Sequence, residues 1–524
     1  MRRLWLLALV VMAGCPTKSN PLFCQTNNDC RDPAKPFCDV VRGECGTTSS
    51  TTDGMMMSRM DLGMDMAIPA CTVSPECPAD MPICASQMCR ACTGPSDDTQ
   101  CLARGASTPR CAAGKCVACR TDTQGTDCSG TTPICGTDNT CRKCQAHSEC
   151  GTDGICVFDG ADTGKCVPAT DIAYVNIGNS ACTDVVHAST PSAPYCQIAF
   201  AAAFSGKKYV RVTGSNTAYT AYNGVSLISG LGTPVDVVIV GPGLTATPQA
   251  LIAQANTVGV SLSSPSGSLA VTLDGIAVSG LGPTLAVAGI SCTGAAGTTT
   301  TVTLRRVSAQ GASDTNGAIA EGIVSTQCNV LITESTFKNS TVGGSFNFQN
   351  GRTYSITNSF FVGNKDRGVQ FTGNGTGTFA FNTVASNSSA TTNSAGGIDC
   401  GTNAYRVLEG SIFALNGREG IGSGKVSQII NRCILINTVA SLMGATDGAA
   451  DALPGPVEFV STMAPTNFRL ETTDATKLMT NRICCIDKIS GTVDGGVMTL
   501  PTRDVDGNAR PKGGKWDIGA HEAL

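Results

Sequence analysis

Cysteine is unusually frequent in this chain, at 29 of its 524 residues. Setting Cys15 aside, twenty of them lie between Cys24 and Cys166 and fall into five groups of four. These are Cys24, Cys30, Cys38 and Cys45; Cys71, Cys77, Cys84 and Cys89; Cys92, Cys101, Cys111 and Cys116; Cys119, Cys128, Cys135 and Cys141; and Cys144, Cys150, Cys156 and Cys166. Four groups place proline two residues before the third cysteine (Pro36, Pro82, Pro109, Pro133), whereas the fifth reads Gly154-Ile155-Cys156. Cys89/Cys92, Cys116/Cys119 and Cys141/Cys144 form Cys-x-x-Cys pairs across group boundaries. Such pairs in tandem could hold zinc. Disulfides are the preferred reading, because the chain begins with an export signal and only His147 lies among these cysteines. A group of roughly 25 residues is too small to bury a core, so two bridges would replace one. Four cysteines permit three pairings, and the spacing does not choose among them.

Other reactive types are scarce. The three histidines are His147, His187 and His521, which leaves none in the middle of the chain as a general base. Lys and Arg total 36 against 40 Asp and Glu, a net charge of −4, without the basic stripe of a nucleic-acid binder. The strongest charged cluster is Lys365, Asp366 and Arg367 with Asp399, Glu409, Arg418 and Glu419. It could bind or cleave an acidic sugar. A solvated corner with loose ion pairs of little energy is the preferred alternative. No metal and no cofactor is expected.

The elements that must position these groups begin with the N-terminus. Met1-Arg2-Arg3, the apolar run Leu4 to Val11, and Met12-Ala13-Gly14 have the layout of a secretory signal. The run is too short to span a bilayer, and no later stretch holds about 20 apolar residues. Ala13-Gly14-Cys15 resembles a bacterial lipobox, which implies cleavage before Cys15 and acylation of that residue. An ordinary signal followed by a chance cysteine is the plainer alternative. Two or three acyl chains would give stable anchoring where one would not. The expected partner is therefore a membrane, the outer rather than the inner. Residues 1–14 would be signal, 15–23 a lipidated tether, 24–45 the first Cys-rich module, and 71–166 modules two to five. Residues 46–70 carry six methionines (Met55, Met56, Met57, Met60, Met64, Met66) among Thr, Ser, Gly and Asp. Methionines can bind Cu(I), but a flexible tether is the preferred reading.

From about residue 171 the composition turns to Val, Ile, Thr, Ser, Asn and Gly. A nine-residue pattern recurs from Leu273, Leu304, Ile332, Ile356, Phe379, Leu408 and Ile429, at steps of 21 to 31 residues. Five residues after each start come Val278, Ala309, Phe337, Phe361, Val384, Phe413 and Ile434. Asn339, Asn364, Asn387, Asn416 and Asn437 close five repeats, and a short glycine-led strand follows, as in Gly344-Ser345-Phe346 and Gly368-Val369-Gln370-Phe371. One repeat cannot bury its apolar positions alone, whereas stacked repeats share a core. Asn tolerates a left-handed turn, and stacked Asn side chains can bond from rung to rung. A leucine-rich repeat is the rival, but its middle Leu position reads Ser335, Ser359, Asn382, Ser411 and Arg432 here. The expected fold class is all-β: a right-handed single-stranded parallel β-helix over 170–524 behind small disulfide-rich modules. An N-terminal cap would cover about 170–225 and a C-terminal ending about 456–524. Cys182 and Cys196 would bridge, Cys292, Cys328, Cys400 and Cys433 could link neighbouring coils, and the adjacent Cys484 and Cys485 would each need a distant partner. A thiol-redox role ranks below these structural ones.

Tyr174 to the C-terminus resembles right-handed β-helix proteins of the pectate-lyase-like class. The likeness runs through Tyr174-Val175-Asn176, Pro194 to Phe200 and Gly206-Lys207-Lys208-Tyr209-Val210. It implies a short helix capping the open end of the coil, with Phe200 and Phe204 at i,i+4 and Gly206 as its stop. Asp504-Val505-Asp506-Gly507-Asn508-Ala509-Arg510-Pro511 and Trp516-Asp517-Ile518-Gly519-Ala520-His521-Glu522 resemble the ending of choice-of-anchor Q proteins. That resemblance implies roles for Asp504, Asp506, Gly507, Arg510, Asp517, Gly519 and Glu522, with Arg510 paired to Asp517. Asp504 to Asn508 also resembles the start of a Ca²⁺ loop, but its glycine comes too early and a capping turn is preferred. The Cys-rich groups loosely resemble tandem modules of bacterial lipoproteins. Related coils include polysaccharide lyases and hydrolases, whose paired carboxylates flank the scissile bond. Here no adjacent Asp pair, Asn-Thr-Asp or Gly-His-Gly marks a rung. The leading expectation is a membrane-anchored, surface or periplasmic lipoprotein that presents the β-helix on a disulfide-rich stalk for non-catalytic polymer (carbohydrate) binding or adhesion. The alternative is an anchored polysaccharide lyase or glycoside hydrolase.

Overall fold

A computed structural model describes residues 37–39, 44–46, 70–213, 222–229, 236–244, 250–255, 257–281, 287–311, 320–349, 351–387, 396–414, 416, 429–436, 438–440, 452–453, 459–461 and 467–470. Near the C-terminus it describes 503, 504, 506, 510, 511, 517 and 519–521. Cys15, Cys24, Cys30, Arg418, Glu419, Asn437, Cys484, Cys485, Gly507 and Glu522 lie outside this set.

Each Cys-rich module is built on one hairpin. Ile83–Ala85 pairs with Met88–Arg90, Arg110–Ala112 with Lys115–Val117, and Ile134–Cys135 with Cys141–Arg142. Ser86 and Gln87 both take positive φ, as do Ala113 and Gly114, the geometry that matches a two-residue turn to the twist of its strands. The hairpin sets the third cysteine of a group opposite the fourth: Cys38↔Cys45, Cys84↔Cys89, Cys111↔Cys116 and Cys135↔Cys141. The first and second cysteines then reach across to it. Modules two to five all pair first with third and second with fourth, from Cys71–Cys84 and Cys77–Cys89 to Cys144–Cys156 and Cys150–Cys166. Every Cys-x-x-Cys therefore joins two modules rather than closing one bridge.

The rest of the described chain winds through three parallel sheets. Sheet 1 has ten strands, from Ile172–Val175 to Cys433–Ile436; sheet 2 has nine, from Leu251–Ala255 to Ala452–Leu453; sheet 3 has eight, from Val225–Ile228 to Ile429–Ile430. One coil takes a strand from each in turn, for example Leu269–Asp274, Ala277–Leu281 and Ile290–Gly294. This is a parallel β-helix, and its all-parallel sheets fit the right-handed sense that twisted strands impose on parallel crossovers. The all-β expectation holds. Inward positions form one shared core, in which Leu273, Leu304, Ile332, Ile356, Phe379 and Leu408 stack along sheet 1. Val278, Ala309, Phe337, Phe361, Val384 and Phe413 do so along sheet 2.

The last repeat start needs correction. Ile429 pairs with Ile398 in sheet 3, and Leu435 continues the sheet 1 column beside Leu408. Ile434, expected inside, is 40% exposed. Both short strands are aliphatic, so periodicity alone could not tell one sheet from the other.

Two polar ladders fix the corners. At the first, between sheets 1 and 2, Arg306, Glu334, Asn358 and Phe381 take positive φ. The residue after each is buried and hydrogen-bonds the next coil: Val307 N to Ser335 Oγ, Ser335 N to Ser359 Oγ, Ser359 N to Asn382 Oδ1, and Asn382 N to Ser411 Oγ, all at 3.0–3.2 Å. At the second corner Ser340, Asn364, Asn387 and Asn416 stack in the same way. Asn387 shows why asparagine is used. Its Oδ1 accepts from Asn364 N and Nδ2, while its own Nδ2 donates to Phe361 O and Asn416 Oδ1. One side chain thus meets a main-chain donor and a main-chain acceptor of the preceding coil and the side chain of the next. Asn339 is not a rung: it is exposed and holds the left-handed position, and Ser340 takes the rung. The ladder asparagines follow that position rather than occupying it, so hydrogen bonding, not tolerance of positive φ, selects them. Gly368 makes room for the stack, since a Cβ there would lie 2.9 Å from Asn387 Nδ2 and 2.5 Å from Val384 Cγ1.

At the third corner two buried disulfides link neighbouring coils: Cys292, in the middle of the sheet 3 strand Ile290–Gly294, to Cys328, just before the sheet 1 strand Asn329–Thr333, and Cys400, just after Ile398–Asp399, to Cys433, which opens Cys433–Ile436. The open end is closed by the helix Ile198–Phe204, which buries Ile198, Ala201 and Ala202 on the first coil. Cys182–Cys196 fastens the chain leading into it.

Candidate functional site

The charged cluster comes together only in part. Arg367 opens the sheet 3 strand Arg367–Gly373. Its guanidinium lies 3.2 Å from Asp399 on the next coil and 3.4 Å from Asp366 beside it. Asp399 also accepts from Gly401 N at 2.9 Å and Asn431 Nδ2 at 2.5 Å. The two carboxylates therefore share one arginine, and Asp399 is further held by a main-chain and a side-chain amide. Glu409 is elsewhere. It ends the sheet 1 strand Arg406–Glu409 at the first corner, three residues and about 10 Å along that strand from its start near the third corner. There it is buried, and burial pushes its carboxyl above the usual carboxylate range. Asp399 and Glu409 belong to different sheets and different corners, so the sequence cluster does not converge as a set among the described residues.

The C-terminal residues dock on the first corner. Asn358 is gripped from both sides: its Nδ2 donates to Arg503 O at 2.6 Å and its Oδ1 accepts from Arg510 at 3.1 Å. Arg510 also donates to Gly519 O at 2.7 Å and lies over the Phe381 ring. Gly519 N donates to Gly410 O and Ala520 N to Thr383 Oγ1. Gly519 sits at φ 96°, and a Cβ there would lie 2.6 Å from Ile412 Cδ1, which explains glycine at this position. Asp504 and Asp517 are buried. Asp504 Oδ1 accepts from Asp506 N, the geometry of a turn. Donor atoms of Asp504, Asp506 and His521 lie within 4.8 Å of one another, a spacing a cation could bridge.

A junction not anticipated from sequence joins module five to the coil. His147 Nδ1 accepts from Cys156 N at 3.0 Å, which leaves Nε2 to donate to Asp274 at 3.1 Å. Asp274 ends a sheet 1 strand and is wholly buried, with Arg306 at 2.5 Å and Arg305 at 3.6 Å. Burial alone would raise its carboxyl, but the His147 hydrogen bond and the arginine charges outweigh it and hold it below its ordinary value. For His147 burial dominates, and the ring is pushed below its ordinary value despite Asp274. Ile155, Val157 and Val167 meet the outer faces of Ile172, Tyr174, Tyr209, Val238 and Val240 alongside. The last module is thus seated on sheet 1 and does not hang from it as a free stalk. The only signal for this in the sequence was a histidine inside a cysteine module. Acid–arginine pairs continue along the modules: Arg90–Asp97, Arg110–Asp127 and Arg142–Glu149. Hydrogen bonding from Arg90 holds Asp97 down at about 2.

The outward face of sheet 1 carries hydroxyl rows in register. Thr301 pairs with Asn329, whose Oδ1 accepts from Thr353 N, and Thr353 pairs with Thr376. Beside them run Thr303, Leu331, Ser355 and Thr378. Exposed Val407 and Ile434 pair further along the same face.

Fold and surfaces together define a class: a parallel β-helix carrying tandem disulfide modules at its N-terminal end. Residues 60–173 match a family model described as a family of unknown function (DUF8331). That match covers modules two to five and ends within the first strand of sheet 1. No curated protein matches the chain, and no solved structure does.

Proposed function

We propose that this protein is an envelope lipoprotein, anchored through acylated Cys15, that binds a repeating polymer without covalent chemistry. Carbohydrate is the preferred polymer. The observation that carries this reading is the outer face of sheet 1, where Thr301, Asn329, Thr353 and Thr376 form one row of small polar side chains at the rung spacing of about 4.8 Å and Thr303, Ser355 and Thr378 form a second row interrupted by Leu331. A charge-poor hydroxyl grid of this kind meets a polymer through many weak, equivalent contacts whose sum is strong. The export-like start and the lipobox-like Ala13-Gly14-Cys15 support the anchor. The choice-of-anchor Q likeness of the ending supports an exported β-helix protein.

A second reading draws on Arg367 between Asp366 and Asp399: a polysaccharide lyase or hydrolase acting at that corner. One experiment separates the two. The purified chain is incubated with neutral and acidic polysaccharides, and both retention and chain ends are measured. Retention with unchanged ends supports binding, whereas new reducing or unsaturated ends support the second reading. Cys15→Ala is expected to move the protein from the membrane fraction to the soluble fraction.

A further inference from the structure

The capping helix does more than close the coil. Between it and the first sheet 3 strand, Val225–Ile228, lies a cleft of about 500 Å³, within the range of small-ligand sites. One wall is aromatic: Phe200 and Phe204 stand 4.8 Å apart between ring centroids, tilted by 40°, and Phe204 is 58% exposed. The rim is polar and already oriented. Asp184 Oδ1 accepts from Cys196 N and Gln197 N at 3.0 Å, which turns its other oxygen outward. Gln197 Oε1 accepts from Asn223 N at 3.0 Å, which leaves its NH₂ group to donate. The Asn223 amide and the Ser226 hydroxyl complete the rim. The Cys182–Cys196 bridge holds the Asp184 segment to the start of the helix, so little ordering remains to be done on binding.

We propose that this cleft binds the end residue of a neutral oligosaccharide. A pyranose has one face of C–H groups, which stacks on an aromatic ring, and an edge of vicinal hydroxyls. Planar carboxylate and amide groups bond such an edge pairwise, the carboxylate accepting and the amides donating. The described lining carries one carboxylate and no Lys or Arg, so a uronate or sulfated sugar would be repelled. The inference rests on the carbohydrate-binding reading and adds a second, end-recognising site to the lateral one on sheet 1.

The test is calorimetric titration of the full mature chain with maltohexaose, cellohexaose, chitohexaose and hexagalacturonate. At least one of the first three is expected to bind, and hexagalacturonate is not. Phe204→Ala should weaken binding at least tenfold and Asn223→Ala at least threefold, with unchanged melting temperatures. Phe204→Tyr should restore most of the loss. A Thr353→Ala/Ser355→Ala/Thr378→Ala variant separates the two sites. If saccharide binding falls in that variant but survives Phe204→Ala, the cleft assignment fails and lateral binding stands. If no saccharide binds the wild-type chain, both fail.

Discussion

The Cys-rich modules and the coil solve the same shortage in opposite ways. Neither has the charge density or long helices of an ordinary soluble domain. A module of four cysteines buries little beyond its own sulfurs: Cys92, Cys101 and Cys111 make up most of the core of module three, with Ile83 of the module before it. Its order is covalent and local. The coil's order is repetitive and shared, with each apolar or amide side chain stacked on its equivalent above and below. A defect in a module should therefore stay in that module, whereas a defect in one rung should be felt along the coil.

The comparison can be broken in several places. The largest effect is expected for Phe361→Ala, which removes a ring stacked 4.9 Å from Phe337 and 6.1 Å from Phe379. A cost of about 3–5 kcal/mol should lower the thermal midpoint of the whole coil, read by far-UV circular dichroism. Next is the paired change Cys101→Ser/Cys116→Ser, at about 2–5 kcal/mol. It should open residues 92–116 to protease while leaving the coil transition in place. A coil midpoint that fell as far as with Phe361→Ala would abolish the distinction. Asn387→Ala should cost about 1–3 kcal/mol by orphaning the buried Asn364 N–H and Phe361 carbonyl of the preceding coil. Limited proteolysis should then show cuts spreading both ways from that rung.

A smaller effect tests the seam between the regions. His147 is held neutral by burial, with Asp274 as partner and Arg306 and Arg211 nearby. Its folded value lies below its unfolded value of about 6.5, so its contribution is complete above that pH and is lost as pH falls through the depressed value. Melting temperature should therefore drop on acidification below about pH 6.5, and His147→Gln should remove that part of the slope. The smallest effect, about 0–1 kcal/mol, is expected for Arg367→Ala, whose ion pairs sit at a partly open corner. A markedly larger loss in chemical denaturation would show that the corner is structural.

Much of this was legible in the sequence, for a physical reason. Cysteine spacing and the stacked apolar columns are properties of single positions, so six of the seven repeat starts fall on sheet 1. What could not be read were properties of pairs. Disulfide connectivity depended on the hairpin that sets Cys111 opposite Cys116. Ser335, Ser359, Asn382 and Ser411 served only to exclude a leucine-rich repeat, yet they form the first-corner ladder. Arg406 carries no local sequence signal that sets it apart from outward polar strand residues. It is buried inside the coil, with its guanidinium over the rings of Tyr354 and Phe371 and bonded to Gly373 O. Glu409 was grouped with Asp399 because they are close in sequence, but a strand and a corner separate them.

The seating of module five also has a mechanical consequence. Tension from an N-terminal anchor would enter the coil after Val167 and reach Ile172–Val175, the last strand of sheet 1, which among the described residues pairs with one full strand, Tyr209–Val212, and on its other side meets only a short bridge to Tyr195. Pulled alone, an edge strand peels. Here His147 to Asp274 and Asp159 to Arg305 carry part of the load past that edge to strands several rungs deeper. A pull applied at module five would thus be shared among several strands at once, where a plain linker would load the end strand alone.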